Sequence, residues 1–313
     1  MKTCLFCYQP LLQEELDFHG ACAKKIFGQP IAPVLPYSEE DLEHLAKEII
    51  QSQTAVTGVQ AKLSLHLNRT TKGGLEKRFT IVGLWGEYIL KLPTQRYPQL
   101  PEVEDLTMHL AQLANIKTAV HSLIRLQSGE LTYLTKRMDR IKGDKLAMED
   151  MCQLTERLTE HKYHGSYEQI GKAIQRYSSA PGLDLVNFFE VVLFSFLTGN
   201  ADMHLKNFSL LEHPGSGMRL SPAYDLLNTA LVNPADPEEL ALSLNSRKKK
   251  LKKQDFVAAM NTLQVAEKQQ AAIFNKMLKA VPKWLERIDR SFMSSEFKEQ
   301  YKFILLNRVA RIQ

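Results

Sequence analysis

Long apolar runs are missing from this 313-residue sequence, although 44% of its residues are hydrophobic. A membrane-spanning helix needs about 20 consecutive apolar residues, and the apolar stretch "LVNFFEVVLFSFL" falls short of that length. The opening residues, "MKTCLFCYQP", are interrupted by charge and cysteine and do not form the apolar core of a signal peptide. We therefore expect a cytoplasmic protein with no membrane segment.

The sequence also has few cysteines and a small net charge. A cytosolic chain with four cysteines is not expected to have a disulfide framework, which leaves metal binding or ordinary packing for them. A net charge of +5 is too small to imply nucleic-acid binding by itself. The one basic cluster, "RKKKLKK" at 247–253, is interpreted as a solvated loop or the start of a helix.

Cysteine and histidine form two close pairs near the N-terminus. Cys4 and Cys7 stand in "CLFC", and His19 and Cys22 stand in "HGAC". Two such pairs can converge on one zinc ion, which prefers thiolate and imidazole ligands and forms a closed site with four of them. The alternatives are unrelated cysteines beside a surface histidine, or a C-x-x-C redox site, which needs a helix starting at the motif. A proline and a polar loop follow instead, so we predict a structural zinc knuckle within residues 1–35.

Residues 36–145 have the pattern of a small sheet with one or two helices. Ser38 begins the helical stretch "SEEDLEHLAKEIIQSQ", with Asp41 at the capping-box position. Strand patterns follow in "AKLSLHLN", "RFTIVG", "YILKLP", "VHSLIRL" and "LTYLTKRM". The stretch "PEVEDLTMHLAQLANI" has helical periodicity.

Residues 146–313 are mainly helical. Ser166 and Asp184 are the predicted N-caps of "YEQIGKAIQRY" and "LVNFFEVVLFSFL", and the second helix is apolar on all sides, which predicts central burial. Between 207 and 228 the pattern predicts only a hairpin. The sequence thus predicts an α+β, protein-kinase-like bilobed fold, with a sheet-rich N-lobe, a mostly helical C-lobe and a small zinc knuckle before them.

Polar residues occur where phosphoryl transfer to a hydroxyl would need them. That reaction uses a strand lysine, a helical glutamate that holds it, a base near the hydroxyl and two magnesium ligands. Lys91 lies in "YILKLP", and Glu104 lies one turn into the next helix. Asp202 and Asn207 have the spacing of the base and metal ligand in a kinase catalytic loop, and Asp225 follows after the hairpin. The sequence therefore predicts a kinase-like phosphotransferase.

Two further side chains of the stretch "TGNADMHLKNFSLL" receive predicted roles. His204 is expected to brace the loop by hydrogen bonding, and Lys206 to neutralise charge on the transferred phosphate. A lone D-x-x-x-x-N pattern is weak, because Asp and Asn are common loop residues. The order of the parts carries the prediction: strand lysine, helix glutamate, polar loop after a buried helix, hairpin, then Asp225.

Five blocks resemble a known family. "GVQAKLSL", "YILKLP", "EDMCQ", "GNADMHLKNFSL" and "LSPAYDLLNT" occur in the order found in the HipA-like serine/threonine kinases, the toxins of bacterial toxin–antitoxin modules. The resemblance implies that Lys91 binds ATP phosphate and that Asp202 is the catalytic base. It implies two magnesium ligands, Asn207 and Asp225. The nucleotide-binding set that it implies also includes Glu104, Gly58, Lys62, Lys136 and Met138.

The sequence departs from the family pattern in two places. Full-length members have an additional N-terminal subdomain before the loop that contains Gly58, and the short span before it here is similar to HipT-like kinases of three-component modules. In relatives a serine of that loop is autophosphorylated, whereas Ala55 stands at the corresponding position. Thr57 is the better candidate acceptor and Thr54 the reserve. Cys152, in "EDMCQ", is expected to line the active site rather than to bind metal.

The resemblance implies an ATP- and Mg²⁺-dependent serine/threonine protein kinase that acts as a growth-inhibiting toxin. Its expected partners are a DNA-binding antitoxin of HipB type, a small HipS-like protein that supplies the missing subdomain, or both. DNA is then contacted only through the antitoxin, and the protein substrate is a translation component such as an aminoacyl-tRNA synthetase. Two alternatives remain: an ATP-binding module that works by holding an antitoxin or repressor, and a small-molecule kinase.

Overall fold

The structure is a computed structural model. It describes the following residues: 2–38, 40–42, 44–45, 62–68, 78–82, 86–141 and 144–313. The chain divides into two compact units, which we call the sheet unit (Met1–Asp105 with Ala119–Gly143) and the helical unit (Leu106–Thr118 with Asp144–Gln313).

The strands of the sheet unit are β1 (Lys62–Asn68), β2 (Arg78–Val82), β3 (Tyr88–Lys91), β4 (His121–Arg125), β5 (Leu131–Lys136) and β6 (Arg140–Ile141). The first five form an antiparallel sheet in the order β2-β1-β3-β5-β4. Side chains of β1 alternate between buried and more exposed positions, which is the period of a sheet with one face against a core. The strands predicted from the sequence are confirmed.

The N-terminal helix packs on this sheet. Helix α1 (Gly20–Phe27) ends at Gly28, whose φ of 72° is the left-handed conformation in which glycine commonly stops a helix. The Phe27 ring meets the edge of Phe79, and the Tyr88 hydroxyl donates to the Ile26 carbonyl at 2.9 Å. Aromatic contacts and a buried hydrogen bond therefore fix α1 to the strands.

Two more helical segments lie wholly or partly in the sheet unit. Ser38 and Asp41 form the predicted capping box, with each side chain accepting from the other's backbone N–H, and residues 40–42 and 44–45 are helical. Helix α2 (Leu100–Leu113) contributes residues up to Asp105 to the sheet unit.

The helices of the helical unit are α3 (Met151–Leu154), α4 (Tyr167–Tyr177), α5 (Pro181–Leu197), α6 (Thr229–Val232), α7 (Lys253–Thr262), α8 (Glu267–Asp289) and α9 (Ser295–Val309). The strands of this unit are β7 (Asp144–Lys145), β8 (Met148–Asp150), β9 (Ser209–His213) and β10 (Gly217–Leu220). The last three form a sheet in the order β10-β9-β8. The predicted hairpin is present as β9 and β10, whereas its third strand, β8, was not predicted. Within the described residues, no helix has both the length and the apolar character that crossing a membrane requires.

Helix α5 forms the centre of the helical unit. Most of its residues are buried, as its uniformly apolar sequence predicts. Phe194 contacts Trp284 of α8 edge to face at 5.6 Å, and the Trp284 indole donates to the Leu110 carbonyl at 2.7 Å. The neighbouring helix α4 has the predicted N-cap, Ser166, in a capping box with Gln169.

The prediction that Asp184 caps α5 is wrong. The helix begins earlier, because Pro181 at its first position already has the backbone angle that a helix start requires, and Ala180 is the N-cap. Asp184 is instead buried in the first turn and accepts hydrogen bonds from Arg219 and from the Leu220 backbone. Its carboxylate therefore ties α5 to strand β10.

Candidate active site

Lys91 and Glu104 form a buried ion pair in the sheet unit. Lys91 is the last residue of β3, and its Nζ lies 2.5 Å from Oε1 of Glu104 in α2. The two residues are only 5% and 2% exposed. The Lys91 ammonium also lies 5.4 Å from the centre of the Tyr133 ring, within the range of a cation–π contact. A strand lysine held by a helical glutamate is the arrangement that binds nucleotide phosphates in kinases.

The polar loop of the helical unit starts where α5 ends. Gly199 has a φ of +81°, and a Cβ at this position would lie 2.4 Å from Oδ1 of Asn228. That Asn228 oxygen caps α6 by accepting from the Leu231 backbone at 2.9 Å. The chain can turn sharply here because Gly199 has no side chain. This turn positions Asn200, whose Oδ1 accepts from the Asp202 backbone at 3.0 Å.

Asp202 and Asn207 are joined within this loop. The Asn207 amide Nδ2 donates to the Asp202 carbonyl at 2.9 Å, so the loop closes on itself. Asn207 is 6% exposed, whereas Asp202 is half-buried. Because the amide nitrogen is used in this bond, the amide oxygen is the atom that remains to bind a cation. The loop thus leaves one carboxylate and one amide oxygen for chemistry.

Tyr163 contacts both the Asp202 carboxylate and the His204 ring. The Tyr163 hydroxyl donates to Asp202 Oδ1 at 2.6 Å, and the Tyr163 ring meets the His204 ring edge to face at 5.0 Å. Burial and the Asp202 hydrogen bond raise the pKa of Tyr163, so its hydroxyl stays protonated and donates. Burial lowers the pKa of His204, although the charges of Asp202 and Asp225 oppose that shift. His204 therefore favours its neutral form, and within the described structure its Nδ1 has no hydrogen-bond partner.

Lys206 and Asp225 are the two remaining predicted site residues of the helical unit. Lys206 Nζ lies 2.7 Å from Oδ2 of Asp150, the residue that caps α3. Asp225 follows Tyr224, whose hydroxyl donates to the Lys206 carbonyl at 2.8 Å. Asp225 has a φ of 59°, a left-handed conformation that aspartate tolerates better than most residues. Its side chain is half-exposed.

The donor set in the helical unit fits a hard divalent cation. Mg²⁺ takes oxygen ligands, and the Asn207 amide oxygen and the Asp225 carboxylate are both oxygen donors. The charges of Asp202 and Asp225 both oppose the lowering of the His204 pKa by burial. These residues are therefore chemically suited to hold magnesium.

The other predicted nucleotide-binding residues are placed as follows. Lys62 is the first residue of β1 and pairs in register with Lys91. Lys136 ends β5, and Met138 lies half-buried in the turn before β6. Gly58, Thr57 and Thr54 lie outside the described residues.

The predicted zinc ligands come together in the sheet unit. Ligand atoms of Cys4, Cys7, His19 and Cys22 all lie within 4.8 Å of one another. We call these four residues the Cys/His cluster. Cys152 is buried in α3 and is not among them.

Sequence reasoning missed three side chains that contact the predicted site residues or their neighbours in the chain. Tyr163 and Tyr8 are tyrosines in loops, and they reach Asp202 and Asp105 across 39 and 97 residues of sequence, so no local pattern marks them. Asp150 had a local signal, because it and Gln153 form a capping box within the block "EDMCQ".

The chain belongs to the family of the HipA-like C-terminal domain, whose model matches residues 54–285. The matched range contains the Lys91–Glu104 pair, the loop from Asp202 to Asn207, and Asp225. It does not contain the Cys/His cluster. The family predicted from the sequence blocks is therefore confirmed.

Two curated relatives illustrate the family. The putative kinase Y4dM of Sinorhizobium fredii is 34% identical over 209 residues, which cover 63% of this chain and 50% of that protein. The serine/threonine-protein kinase toxin HipA of Shewanella oneidensis is 28% identical over 212 residues, which cover 61% of this chain and 46% of that protein. This chain spans about half the length of these two relatives.

A solved structure supports the fold. The complex of Shewanella oneidensis HipA with HipB and its operator DNA matches with a TM-score of 0.69 and 22% identity, over 90% of this chain and 72% of that chain. The predicted α+β, protein-kinase-like class, with a sheet-rich part and a helical part, is confirmed by this likeness.

Proposed function

We propose that this chain is an ATP- and Mg²⁺-dependent serine/threonine protein kinase that acts as the toxin of a toxin–antitoxin pair. The observation that carries the proposal is the loop closed by the Asn207–Asp202 hydrogen bond, in a chain of the HipA-like family. Relatives described as kinases support the reaction class. The proposal also divides the chain into a zinc knuckle (1–35), a sheet-rich N-lobe (36–145) and a helical C-lobe (146–313).

The proposed roles follow the chemistry of each side chain. Lys91, held by Glu104, binds ATP phosphate oxygens. Asp202 accepts the proton of the acceptor hydroxyl while the hydroxyl oxygen forms a bond to the γ-phosphorus, and the bond from that phosphorus to the bridging ADP oxygen breaks. Magnesium, when bound, neutralises charge on the phosphates. Two side chains would hold it: Asn207 and Asp225.

Lys206 and His204 are assigned supporting roles. Lys206 neutralises charge on the transferred phosphate, which requires it to share or exchange its contact with Asp150. Neutral His204 packs edge to face against Tyr163, whereas Nδ1 of its ring does not make a hydrogen bond of the kind predicted to brace the loop. Nucleotide contacts by Lys62, Lys136, Met138 and Gly58 are part of the same proposal.

Partners and regulation are proposed from the family. A relative was solved in complex with HipB and operator DNA, which supports an antitoxin partner that binds DNA. A small HipS-like protein and a substrate such as an aminoacyl-tRNA synthetase belong to the proposal as well. Thr57, or else Thr54, is the proposed site of autophosphorylation, and phosphopeptide mapping of active protein checks it.

The structural zinc predicted at the Cys/His cluster is proposed separately. Its ligands precede the matched range 54–285, so the family assignment says nothing of them. The zinc proposal is supported only by the geometry of the four ligands.

Phosphoryl transfer from labelled ATP into a bacterial lysate tests the kinase. Wild-type protein is expected to label a protein identified by mass, and Asp202→Asn is expected to lower the rate by about 10²- to 10⁴-fold, the usual contribution of a general base. Calorimetric titration with an ATP analogue should show that Asp202→Asn still binds nucleotide, because this residue faces the acceptor.

Each other outcome favours a different function. Full activity of Asp202→Asn would refute the assignment of the base. Tight antitoxin binding by wild-type protein without any phosphoryl transfer would favour the binding module, and label found only in small molecules would favour a small-molecule kinase.

A further inference from the structure

The Cys/His cluster has the dimensions of a tetrahedral metal site. Sγ of Cys7 and Sγ of Cys22 lie 3.4 and 3.8 Å from Nδ1 of His19. In tetrahedral zinc coordination, with Zn–S near 2.3 Å and Zn–N near 2.0–2.1 Å, the sulfur–nitrogen edge is about 3.6 Å long. All four cysteines lie in the part of the chain that the structure describes, and none of them forms a disulfide.

The imidazole of His19 is oriented as a metal ligand. Its Nε2 lies 2.9 Å from the Pro10 carbonyl, which only accepts, so Nε2 carries the proton and donates. In the neutral imidazole, Nδ1, the nitrogen that faces the two sulfurs, then carries the lone pair that can bind metal. Metal-ligating histidines commonly use their second ring nitrogen in this way.

The ligands come from two short elements that a metal would join. Cys4 and Cys7 lie in a turn in which the Tyr8 N–H donates to the Cys4 carbonyl at 3.0 Å, and Tyr8 has a left-handed φ of 63°. His19 and Cys22 lie at the start of α1. A metal bound to all four residues would join this turn to the start of α1.

Tyr8, in the turn that contains Cys4 and Cys7, contacts helix α2, which carries Glu104. The Tyr8 hydroxyl donates to Oδ2 of Asp105 at 2.7 Å, and Oδ1 of Asp105 lies 2.7 Å from Nδ1 of His121. Asp105 is fully buried and is the neighbour of Glu104 in α2.

A second set of contacts returns from His121 to Lys91. The His121 ring stacks on Tyr133, with ring centres 5.9 Å apart, and the Lys91 ammonium lies over that same Tyr133 ring. The Lys91–Glu104 pair is therefore linked to Tyr8 through both of its members.

We propose that Cys4, Cys7, His19 and Cys22 bind one structural zinc ion, and that this ion holds Tyr8 in place so that Tyr8 positions the Lys91–Glu104 pair. The first part stands without the kinase assignment, whereas the second rests on the proposed role of Lys91 in ATP binding. Zinc has no part in the phosphoryl transfer. Tyr8 acts as a positioning residue.

Metal analysis of the purified chain tests the first part. One zinc ion per chain is expected in reducing buffer, with a marked loss in Cys4→Ser and no loss in the control, Cys152→Ser. Replacement by Co²⁺ should give the visible d–d bands of a tetrahedral site with thiolate ligands, and it needs no variant that might fold poorly. Absence of zinc from wild-type protein, or a cobalt spectrum of octahedral type, would overturn the site.

A pair of tyrosine variants tests the second part. Tyr8→Phe removes the hydroxyl that binds Asp105 and keeps all four ligands, and Tyr97→Phe is the matched control, since the Tyr97 ring contacts Arg96 elsewhere in the same unit. We expect Tyr8→Phe to retain zinc and to weaken binding of an ATP analogue by about two- to thirtyfold, and Tyr97→Phe to match wild type.

The outcomes separate the two parts. Equal nucleotide affinity in Tyr8→Phe and Tyr97→Phe would overturn the positioning role while leaving the zinc result intact. Failure of wild-type protein to bind the analogue would count against the proposed function and not against the zinc site.

Discussion

The Lys91–Glu104 pair of the sheet unit and the Asp202 loop of the helical unit are held in place in different ways. In the sheet unit, Lys91 is held by Glu104 and Asp105 by His121, through side-chain contacts that are buried. In the helical unit, side chains hold the loop by binding backbone carbonyls, as Asn207 does at Asp202 and Tyr224 does at Lys206. The first arrangement makes each charge depend on its partner. The second leaves the Asp202 carboxylate half-exposed.

A matched pair of carboxylate-to-amide variants should show the largest difference between the units. Glu104→Gln leaves the buried Lys91 ammonium without its counter-charge, and breaking such a pair costs about 3–5 kcal/mol of unfolding free energy. Asp202→Asn keeps an oxygen that accepts from Tyr163 and should cost less than about 1 kcal/mol. Chemical denaturation measures both, and equal losses would contradict the contrast.

The turn at Gly199 provides the next test, because the helical unit relies on its backbone. Gly199→Ala forces a side chain into a left-handed conformation and against Asn228, so we expect a loss of about 1–3 kcal/mol. Gly182→Ala is the control. A Cβ at Gly182 meets nothing within 4 Å in helix α5, so this variant should be neutral or more stable by about 0.4–1 kcal/mol. Thermal unfolding of both variants checks this pair.

Asp225 should affect ligand binding more than stability, as expected for a half-exposed side chain of the helical unit. Asp225→Asn removes the charge that would face magnesium, so Mg²⁺ should strengthen binding of an ATP analogue about tenfold less than in wild type, or ~1.4 kcal/mol. Binding measured without Mg²⁺ should be unchanged. A uniform loss of binding with and without Mg²⁺ would argue against a metal ligand.

The smallest effect should be the pH dependence due to His204. Burial lowers its pKa in the folded state, so as pH falls through the unfolded value the unfolded chain binds a proton first and the fold loses stability. The slope for one such group is at most about 1.4 kcal/mol per pH unit. His204→Gln should remove this slope in denaturation curves measured from pH 7.5 downward over about two pH units. An unchanged slope would assign the effect to another histidine.

Local sequence signals predicted much of the fold. The period of β1, the caps at Ser38 and Ser166, and the uniformly apolar α5 all depend on residues a few positions apart. Strand β8 was missed because three residues are too few to show alternation, and it is paired with β9 from a distant part of the chain.

The candidate site was predicted to a lesser extent. Motif spacing selected Lys91, Asp202 and Asn207 as candidates, because each lies in a short block with a recognisable neighbourhood. Tyr163 could not be found in this way, since its contact with Asp202 exists only after the chain has folded. Asp184 was misread for the same reason: its partner, Arg219, lies on a strand 35 residues away.

The left-handed backbone of Asp225 limits which residues evolution can place there. Glycine, asparagine and aspartate are the residues that accept such a φ most readily, and of these only aspartate has a negative charge. A saturation library at this position, sorted separately for folded protein and for toxicity, should therefore give two different survivor sets. Gly and Asn should persist in the first set, and Asp alone in the second. A glutamate that passed both sorts would show that neither the backbone nor the side-chain length restricts this position.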